Sequence, residues 1–291
     1  MKLLRYLDGD DVRLGLLEGD DVVALGPLAL PDLLEADADA RGRIVAEHRG
    51  PRSRPLASLT LAPPVEPGMI LCAGENYVDH LDEKPPVRRD EPEFFLKTPT
   101  AVVAGGATVP YPDVTKKLDY EVELAVVIGR GGHRIPADRA LDHVFGYTVM
   151  NDLTARDRQV MMRPDGTAQY RLGGSKNFDG SAPLGPVIVT TDEIPDPQAL
   201  AMTSTVNGEV RQRTTTGHMI TGVAELVEFF SAYLTLWPGT VISTGTPGGT
   251  GWGSDPELGG RHDGEGDRYL RAGDEVVCEI DGIGALRTVI G

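Results

Sequence analysis

The residues with the clearest chemical potential are the acids at the start of an alternating run, Asp119 to Val127. Alternation of polar and apolar residues with a period of two predicts a β-strand, whose successive side chains point to opposite faces. Asp119, Glu121 and Glu123 then share one face, and the other face is apolar. Neighbouring carboxylates repel one another, so these acids either face open water or hold a cation between them. Their oxygens suit Mg²⁺, Mn²⁺ or Ca²⁺ better than softer metals.

A third acid and a lysine stand in segments that suit a ligand site. Asp152 lies where a predicted strand, beginning near Gly146, ends in a polar turn, and Thr154 is placed to cap the helix that follows. Lys176 lies in the glycine-rich segment Gly173–Gly180, whose backbone can approach a ligand closely. This segment lacks the residue order of a Walker phosphate loop. Taken singly, Asp152 also fits an ordinary turn.

His80 and Glu83 are spaced three residues apart, so on a helical turn their side chains lie on one face and can meet. Asn76 is placed to cap that turn, and two prolines soon after it end it. A carboxylate bonded to one imidazole nitrogen leaves the other nitrogen as a base near neutral pH. The same spacing also occurs in surface pairs. The charged, proline-rich segment 82–92 suits a mobile lid.

A loop rich in glycine and threonine, Thr244–Gly251, follows a short predicted strand near the end of the chain. Backbone N–H groups and hydroxyls in such a loop can hold a carboxylate. The same composition equally fits a tight turn. We interpret the loop as a ligand site only because it occurs together with the segments described above.

Together these segments resemble the fumarylacetoacetate hydrolase family. The matching stretches occur in the family's order over roughly residues 67–291 and are Gly74–Glu83, Phe95–Pro99, Asp119–Gly129, Gly146–Asp157, Lys176–Pro186, Gly222–Leu226 and Pro238–Gly249. One departure concerns position 75, which is Glu here, where Leu, Arg or Lys is expected. An acid at this position could change which substrate tail the pocket accepts, and it leaves the metal site untouched.

The resemblance implies a role for each candidate residue. It assigns metal ligation to Glu121, Glu123 and Asp152, substrate binding to Gln159, Lys176 and Thr246, and catalysis to His80, Glu83 and Lys176. The implied cofactor is Mg²⁺ or Mn²⁺. The implied partner is a small 2-oxo acid, whose keto-acid end meets Lys176 and Gln159 and whose carboxylate meets Thr246.

The implied reaction is cleavage of a carbon–carbon bond in an acylpyruvate-type 2-oxo acid, through an enolate that the metal stabilises. In this scheme His80 takes a proton from the attacking water. The same residues also suit an oxaloacetate-type decarboxylase or an isomerase of the 2-hydroxy-diene-dioate type, and the sequence does not choose among these reactions. A homologue that only binds a metabolite is disfavoured, because every implied site residue is present.

The composition limits the classes of partner. The formal net charge of −16 argues against nucleic acids and anionic membrane surfaces. The chain contains no stretch of about 20 apolar residues, the length that a membrane-spanning helix requires. Cys72 and Cys278 are far apart in sequence and fit a reduced, cytoplasmic setting in which both thiols are buried.

The 36 glycines and 22 prolines predict many turns and short strands, and hence a β-rich α+β protein. We predict a small β-containing N-terminal domain at 1–62 and a catalytic domain at 67–291. The resemblance implies that the latter is a mixed β-roll and that the protein is a homodimer. Local patterns predict four further elements: a hairpin of Val12–Leu17 with Asp21–Leu25, a helix within Glu35–Arg54, a helix from Gly222 to Leu236, and a closing hairpin of Asp274–Ile280 with Gly284–Val289.

Overall fold

The computed structural model describes residues 1–81, 91–165, 167–260 and 267–291. In chain order its strands begin with β1 (Lys2–Asp8), β2 (Asp11–Glu18), β3 (Asp21–Ala24), β4 (Ser53–Pro55), β5 (Leu61–Ala62), β6 (Ile70–Gly74) and β7 (Glu93–Lys97). They continue with β8 (Val102–Ala104), β9 (Thr108–Val109), β10 (Leu118–Asp119), β11 (Val122–Ile128), β12 (Val144–Asn151), β13 (Thr154–Ala155) and β14 (Val160–Met162). The last are β15 (Ala168–Tyr170), β16 (Ala182–Thr190), β17 (Ala201–Val206), β18 (Glu209–Thr215), β19 (Val241–Ser243), β20 (Glu275–Ile280) and β21 (Gly284–Ile290).

Among the described residues the helices are far fewer than the strands, which confirms the predicted β-rich α+β class. They are α1 (Pro31–Leu34), α2 (Ala38–His48), α3 (Val78–Leu81), α4 (Ala137–Ala140), α5 (Arg156–Gln159), α6 (Gly173–Lys176) and α7 (Val223–Tyr233). Short 3₁₀ turns cover Leu56–Ser58, Pro99–Ala101, Leu141–His143, Thr216–His218, Trp252–Ser254 and Pro256–Leu258. In the described part of the chain, no helix is long and apolar enough to cross a membrane.

One large mixed sheet carries the strands that surround the site. Its strand order is β4-β3-β2-β1-β16-β12-β11-β19-β6-β7, with β5 paired to β1 and β8 paired to β16. A second sheet has the order β18-β17-β20-β21-β9, and the short strands form the pairs β10–β13 and β14–β15. The N-terminal strands join the large sheet through antiparallel pairing of β1 with β16, at Lys2 opposite Val189. The division at residues 62–67 stays a prediction.

Strand β11 lies in the middle of the large sheet, and all seven of its residues are buried. Val122, Leu124 and Val126 pack in one hydrophobic cluster, while Ala125 and Val127 pack in the other. The predicted alternation is therefore confirmed from Val122 onward. Because both faces are covered, the acids at the start of this strand do not face open water.

The prediction of one continuous strand from Asp119 to Val127 is wrong, because the chain leaves the ladder at Tyr120 and Glu121. The backbone amide of Tyr120 donates to the side chain of Asp119, and that of Glu121 donates to Asn151 Oδ1. These side-chain acceptors replace the carbonyls of a neighbouring strand, so β10 and β11 separate. The carboxylate of Asp119 accepts from Arg156 and from the backbone amides of Gly251 and Trp252.

The predicted local elements are confirmed with small changes in their bounds. β2 and β3 form the N-terminal hairpin, and β20 and β21 form the closing hairpin. α2 lies within the predicted helical segment, and α7 occupies the predicted span without its ends. The buried side chains of α7 include Val223, Leu226, Val227 and Phe230, at the helical spacing noted in the sequence. Cys72 and Cys278 are both free and buried.

Candidate active site

Strand pairing brings together the acids that the sequence singled out. β11 and β12 are antiparallel with Val122 opposite Asn151, so the start of one strand lies beside the end of the other. The backbone amide of Asp152 also donates to the carbonyl of Glu121 at 2.9 Å. Carboxylate oxygens of Glu121, Glu123 and Asp152 consequently lie within 4.8 Å of one another, and all three residues are buried. We call this group the acid triad.

Two lysines and an arginine neutralise part of the charge of the triad. Lys176 ends α6, and its Nζ lies 2.7 Å from Glu121 Oε2 and 2.6 Å from Asp152 Oδ2. Lys97 ends β7, and its Nζ lies 2.5 Å from the other oxygen of Asp152. Arg156 donates to Oε1 of Glu121. Each oxygen of Glu121 and of Asp152 therefore accepts a hydrogen bond from a cation.

Arg156 is the largest fully buried side chain of the described residues and connects three parts of the site. Its Nε donates to Asp119 at 2.7 Å, and its NH1 group donates to Gln159 at 2.6 Å. Asp119 also accepts from the backbone amides of Gly251 and Trp252, at 2.7 and 3.0 Å. Asp119 is thus no member of the acid triad. Instead it ties Arg156 to the glycine-rich loop near the end of the chain.

Within the described part of the chain, Glu123 is the one member of the triad that accepts no hydrogen bond from a cationic side chain. It accepts from the hydroxyl of Ser243 and from the backbone amide of Gly245. Burial, followed by the negative charge of Asp152 and then of Glu121, raises the pKa of Glu123 well above its usual value. A divalent cation among the three carboxylates would supply the missing positive charge, and an all-oxygen donor set suits Mg²⁺ or Mn²⁺. The residues present therefore fit such a cation.

Burial alone would raise the pKa of Glu121, but the positive charges of Arg156 and Lys176 outweigh it, so this pKa is lowered. Burial also disfavours the charged form of Lys176, whereas the charges of Asp152 and Glu121 favour it. The net result is a raised pKa for Lys176. Glu121 is thus ionised and Lys176 is protonated at neutral pH, so both can stabilise charge that develops on a ligand.

The acid triad lies at the bottom of a cavity of about 230 Å³. The polar and aromatic residues that line it include His80, Glu93, Phe95, Arg156, Gln159, Tyr170, Lys176, Thr246 and Trp252. The size of the cavity suits a small organic acid, because drug-sized ligands occupy pockets of about 300–1,000 Å³. The cavity unites all seven site residues that the sequence analysis placed at metal, substrate and catalytic positions, apart from Glu83, which lies outside the described residues.

Gln159 and Thr246, which the sequence analysis expects to bind substrate, line the cavity, but part of their hydrogen-bonding capacity is already used. The amide oxygen of Gln159 accepts from Arg156, so its Nε2 group is the remaining donor toward a ligand. The hydroxyl of Thr246 donates to the carbonyl of Val122 and accepts from Gln212. Thr246 is therefore held rigidly, and contact with a carboxylate through its hydroxyl requires that its bond to Val122 be exchanged.

His80 lies on α3 and is buried at the cavity wall, where its ring packs edge-on against Trp252 with centroids 5.8 Å apart. Its predicted partner Glu83 lies outside the described residues. The predicted cap of this turn is wrong: Oδ1 of Asn76 accepts from the backbone amide of Thr221, and its Nδ2 group donates to the carbonyls of Thr221 and Thr244. Asn76 thereby joins the segment that carries His80 to the loop after β19.

The predicted cap by Thr154 is also wrong. Its hydroxyl donates to the carbonyl of Asp152 at 2.9 Å, and the cap position of α5 belongs to Ala155, which makes no side-chain cap bond. Thr154 forms part of β13 and pairs with Asp119 across the short ladder. Its effect is local, since it stabilises the turn that places Asp152 beside Glu121 and Glu123.

Sequence reasoning missed Lys97 and Arg156. A signal existed for Lys97, which follows Phe94, Phe95 and Leu96 as a lone cation in an apolar strand. For Arg156 the only signal was its place four residues after Asp152. Neither pattern identifies a partner, because both side chains reach carboxylates that are distant in sequence, such as Asp119, 37 residues from Arg156.

The fold and the site together define an enzyme-like class: a strand-rich protein with three buried carboxylates that line a small cavity. The family described as fumarylacetoacetate (FAA) hydrolase, C-terminal, matches residues 69–291. The chain belongs to the fumarylacetoacetate hydrolase family.

Relatives extend over nearly the whole chain. A 5-carboxymethyl-2-hydroxymuconate delta-isomerase from Mycobacterium smegmatis has a similar crystal structure, with a TM-score of 0.75, 33% identity and coverage of 100% of this chain and 98% of that one. A fumarylacetoacetate hydrolase from Exiguobacterium antarcticum has a TM-score of 0.80 at 32% identity, covering 100% and 99%. An uncharacterized protein of Staphylococcus aureus strain USA300 is 40% identical over 234 residues, which are 79% of this chain and 71% of that protein. Both hydrolases and isomerases thus occur among the similar proteins.

Proposed function

We propose that this protein is a divalent-metal-dependent hydrolase or lyase that cleaves a carbon–carbon bond in an acylpyruvate-type 2-oxo acid. The observation that carries the proposal is the buried acid triad, whose oxygens lie within 4.8 Å of one another under a cavity of about 230 Å³. Glu121, Glu123 and Asp152 would hold Mg²⁺ or Mn²⁺. When bound, such an ion supplies Lewis-acid stabilisation of negative charge on the oxygens of the 2-oxo acid.

Lys176 and Gln159 would bind the keto-acid end of the substrate. Lys176 brings a positive charge to the cavity wall beside Glu121 and Asp152, where enolate charge grows as the bond breaks. Gln159 donates from Nε2, while Arg156 holds its amide oxygen and fixes its orientation. The substrate carboxylate would meet the loop that contains Thr246.

His80 would act as the general base. It lies in the same cavity as the triad, and its imidazole is held against the ring of Trp252. In the proposed reaction a ring nitrogen of His80 takes a proton from water, and the hydroxide formed attacks the second carbonyl of the substrate. The carbon–carbon bond then breaks, and its electron pair passes to the 2-oxo acid fragment, which leaves as an enolate and is released as pyruvate after protonation.

A second candidate is isomerisation of a 2-hydroxy-diene-dioate. The relatives named as isomerases support it, among them a 2-hydroxyhepta-2,4-diene-1,7-dioate isomerase from Mycobacterium marinum with a TM-score of 0.71 and 31% identity. In this reaction His80 would move a proton between carbon atoms, with no attack by water. Decarboxylation of an oxaloacetate-type acid would need the same triad and lysine, and no base for water.

The test is pyruvate release from a panel of short acylpyruvates and oxaloacetate, with Mg²⁺ and with EDTA, while CO₂ is followed in parallel. Pyruvate that depends on Mg²⁺ and appears without CO₂ supports the hydrolase. Pyruvate with equimolar CO₂ from oxaloacetate assigns the decarboxylase. Absence of pyruvate, with metal-dependent conversion of a 2-hydroxy-diene-dioate, assigns the isomerase and rejects the first proposal.

A further inference from the structure

Glu121 and Asp152 are each held from two sides. On the outer side, Oε1 of Glu121 accepts from Arg156 and Oδ1 of Asp152 accepts from Lys97. On the inner side, Oε2 of Glu121 and Oδ2 of Asp152 both accept from the single ammonium group of Lys176, at 2.7 and 2.6 Å. The outer contacts orient the carboxylates, while Lys176 takes the two oxygens that face each other.

A divalent cation shared by the triad would be drawn to these same inner oxygens, because Arg156 and Lys97 already hold the outer ones. Mg²⁺ binds carboxylate oxygens at about 2.0–2.1 Å and demands near-octahedral geometry, so it draws both oxygens to one point. An ammonium nitrogen that bridges the same two oxygens lies almost at that point, and two positive charges so close repel each other strongly. The outer oxygens are turned away toward Arg156 and Lys97. Lys176 and the cation therefore compete for the inner oxygens.

We propose that Lys176 competes with the divalent cation for the inner oxygens of Glu121 and Asp152, and leaves them when the cation binds. This inference rests on the proposed metal-dependent function. The displaced Nζ stays at the cavity wall, where it meets the oxygen of a bound 2-oxo acid. Cation binding thus switches Lys176 from a partner of the triad to a partner of the substrate. Lys97 keeps its outer oxygen and is a positioning residue.

The competition predicts that removal of Lys176 tightens cation binding. The experiment titrates Mn²⁺ into wild-type protein and into Lys176→Met, and follows free Mn²⁺ by its electron paramagnetic resonance signal. We expect Kd to fall at least tenfold in the variant. An unchanged or higher Kd overturns the proposal, because it shows that Lys176 supports the triad in the cation-bound form. Should Lys176→Met not fold, as judged by circular dichroism, Lys176→Gln takes its place with the same expectation.

Lys97→Met is the matched control, because it removes an equal charge from Asp152 at the outer oxygen. We expect its Kd for Mn²⁺ to be unchanged or higher than that of wild type. Equal tightening in both variants overturns the proposal, since the effect is then general removal of positive charge and not competition for the inner oxygens.

Oxalate, a planar dicarboxylate that resembles a 2-oxo acid end, tests the second half of the switch. We expect oxalate to lower the Kd for Mn²⁺ in wild type, because the displaced ammonium group of Lys176 can bind the oxalate. In Lys176→Met we expect this decrease in Kd to be at least fivefold smaller. An equal effect in both proteins overturns this step. If wild type binds no Mn²⁺ at all, the proposed function itself fails. If wild type binds Mn²⁺ and Lys176→Met binds it more weakly, only the competition fails.

Discussion

Nζ of Lys97 lies 2.5 Å from Oδ1 of Asp152, and both side chains are completely excluded from solvent. Lys97 ends β7 and Asp152 directly follows β12, and these strands are far apart in the sheet order, since β11, β19 and β6 separate them. Adjacent strands lie about 4.8 Å apart, so a flat sheet would place these strands far beyond the reach of a lysine. The ion pair therefore shows that the sheet is rolled around the acid triad.

Replacement of Lys97 by Met is expected to lower the free energy of unfolding by about 3–5 kcal/mol, because it leaves a buried carboxylate without its partner. Urea unfolding in the presence of EDTA measures the change. Lys116→Met is the control, since Lys116 is exposed and a surface substitution changes stability by about 0.5 kcal/mol or less. Equal effects of the two substitutions would contradict the role given to the buried pair.

Replacement of Glu121 by Gln is expected to abolish cation binding and turnover together, because the triad loses one of its oxyanions. Changes in residues that only support metal ligands already weaken binding by about 10- to 100-fold, so loss of a ligand should exceed that range. Mn²⁺ titration and pyruvate release measure the two effects. Glu279→Gln, at an exposed position of β20, should change neither. A Glu121→Gln protein that keeps both properties would remove Glu121 from the site.

Replacement of Arg156 by Lys keeps the charge but cannot reproduce contacts to Asp119, Glu121 and Gln159 with a single ammonium group. We expect kcat to fall by about 100-fold, the effect of a misplacement of roughly 1 Å in a positioned site. Kinetics with saturating Mg²⁺ measure this loss, and circular dichroism checks the fold. Full activity of Arg156→Lys would show that charge alone matters at this position.

Asp255 provides a pH-dependent test in the wall that carries Trp252. Burial raises the pKa of Asp255, but bonds from Lys117 and Tyr269, both at 2.7 Å, outweigh it and lower this pKa below its usual value. A carboxyl with a lowered pKa in the folded state stabilises the fold above its unfolded pKa of about 3.9, and this stabilisation is lost as the pH falls through the folded value.

We therefore expect Asp255→Asn to lower the free energy of unfolding by about 2 kcal/mol at pH 7 and by less as the pH falls below about 4. Unfolding by urea at a series of pH values measures the difference from wild type. Glu257→Gln is the matched control: Glu257 also bonds Lys117, at 2.9 Å, but its side chain is 81% exposed. It should show almost no change. A difference for Asp255→Asn that is constant with pH would reject the assignment.

Glu75 lines the cavity and departs from the residues expected at its position. Its backbone φ of 49° lies in the left-handed region, so Gln, which has the same shape, is a better test than a branched residue. We expect Glu75→Gln to raise kcat/KM for an acylpyruvate with a second carboxylate in its tail, relative to one with a neutral tail. A change of about fivefold corresponds to about 1 kcal/mol, the interaction of two unit charges near 4 Å in water. An unchanged ratio would show that Glu75 does not select the tail.

The sequence by itself determined the local elements and the identity of the triad candidates. Alternation marked β11, turn residues marked the two hairpins, and the spacing of apolar residues marked α7. These signals are readable because each depends on neighbours a few residues away. The candidates Glu121, Glu123 and Asp152 came from the same patterns together with the family resemblance.

Only the tertiary structure decided why Asp119 stands outside the triad and which side chains neutralise the triad. Asp119 shares the alternation of Glu121, yet the side chain of Asn151 breaks the strand between them and Arg156 takes the carboxylate of Asp119. Likewise Lys97 reaches Asp152 only because the sheet is rolled. These outcomes depend on contacts between residues 30 to 55 positions apart in the chain, and local sequence patterns hold no information about such distances.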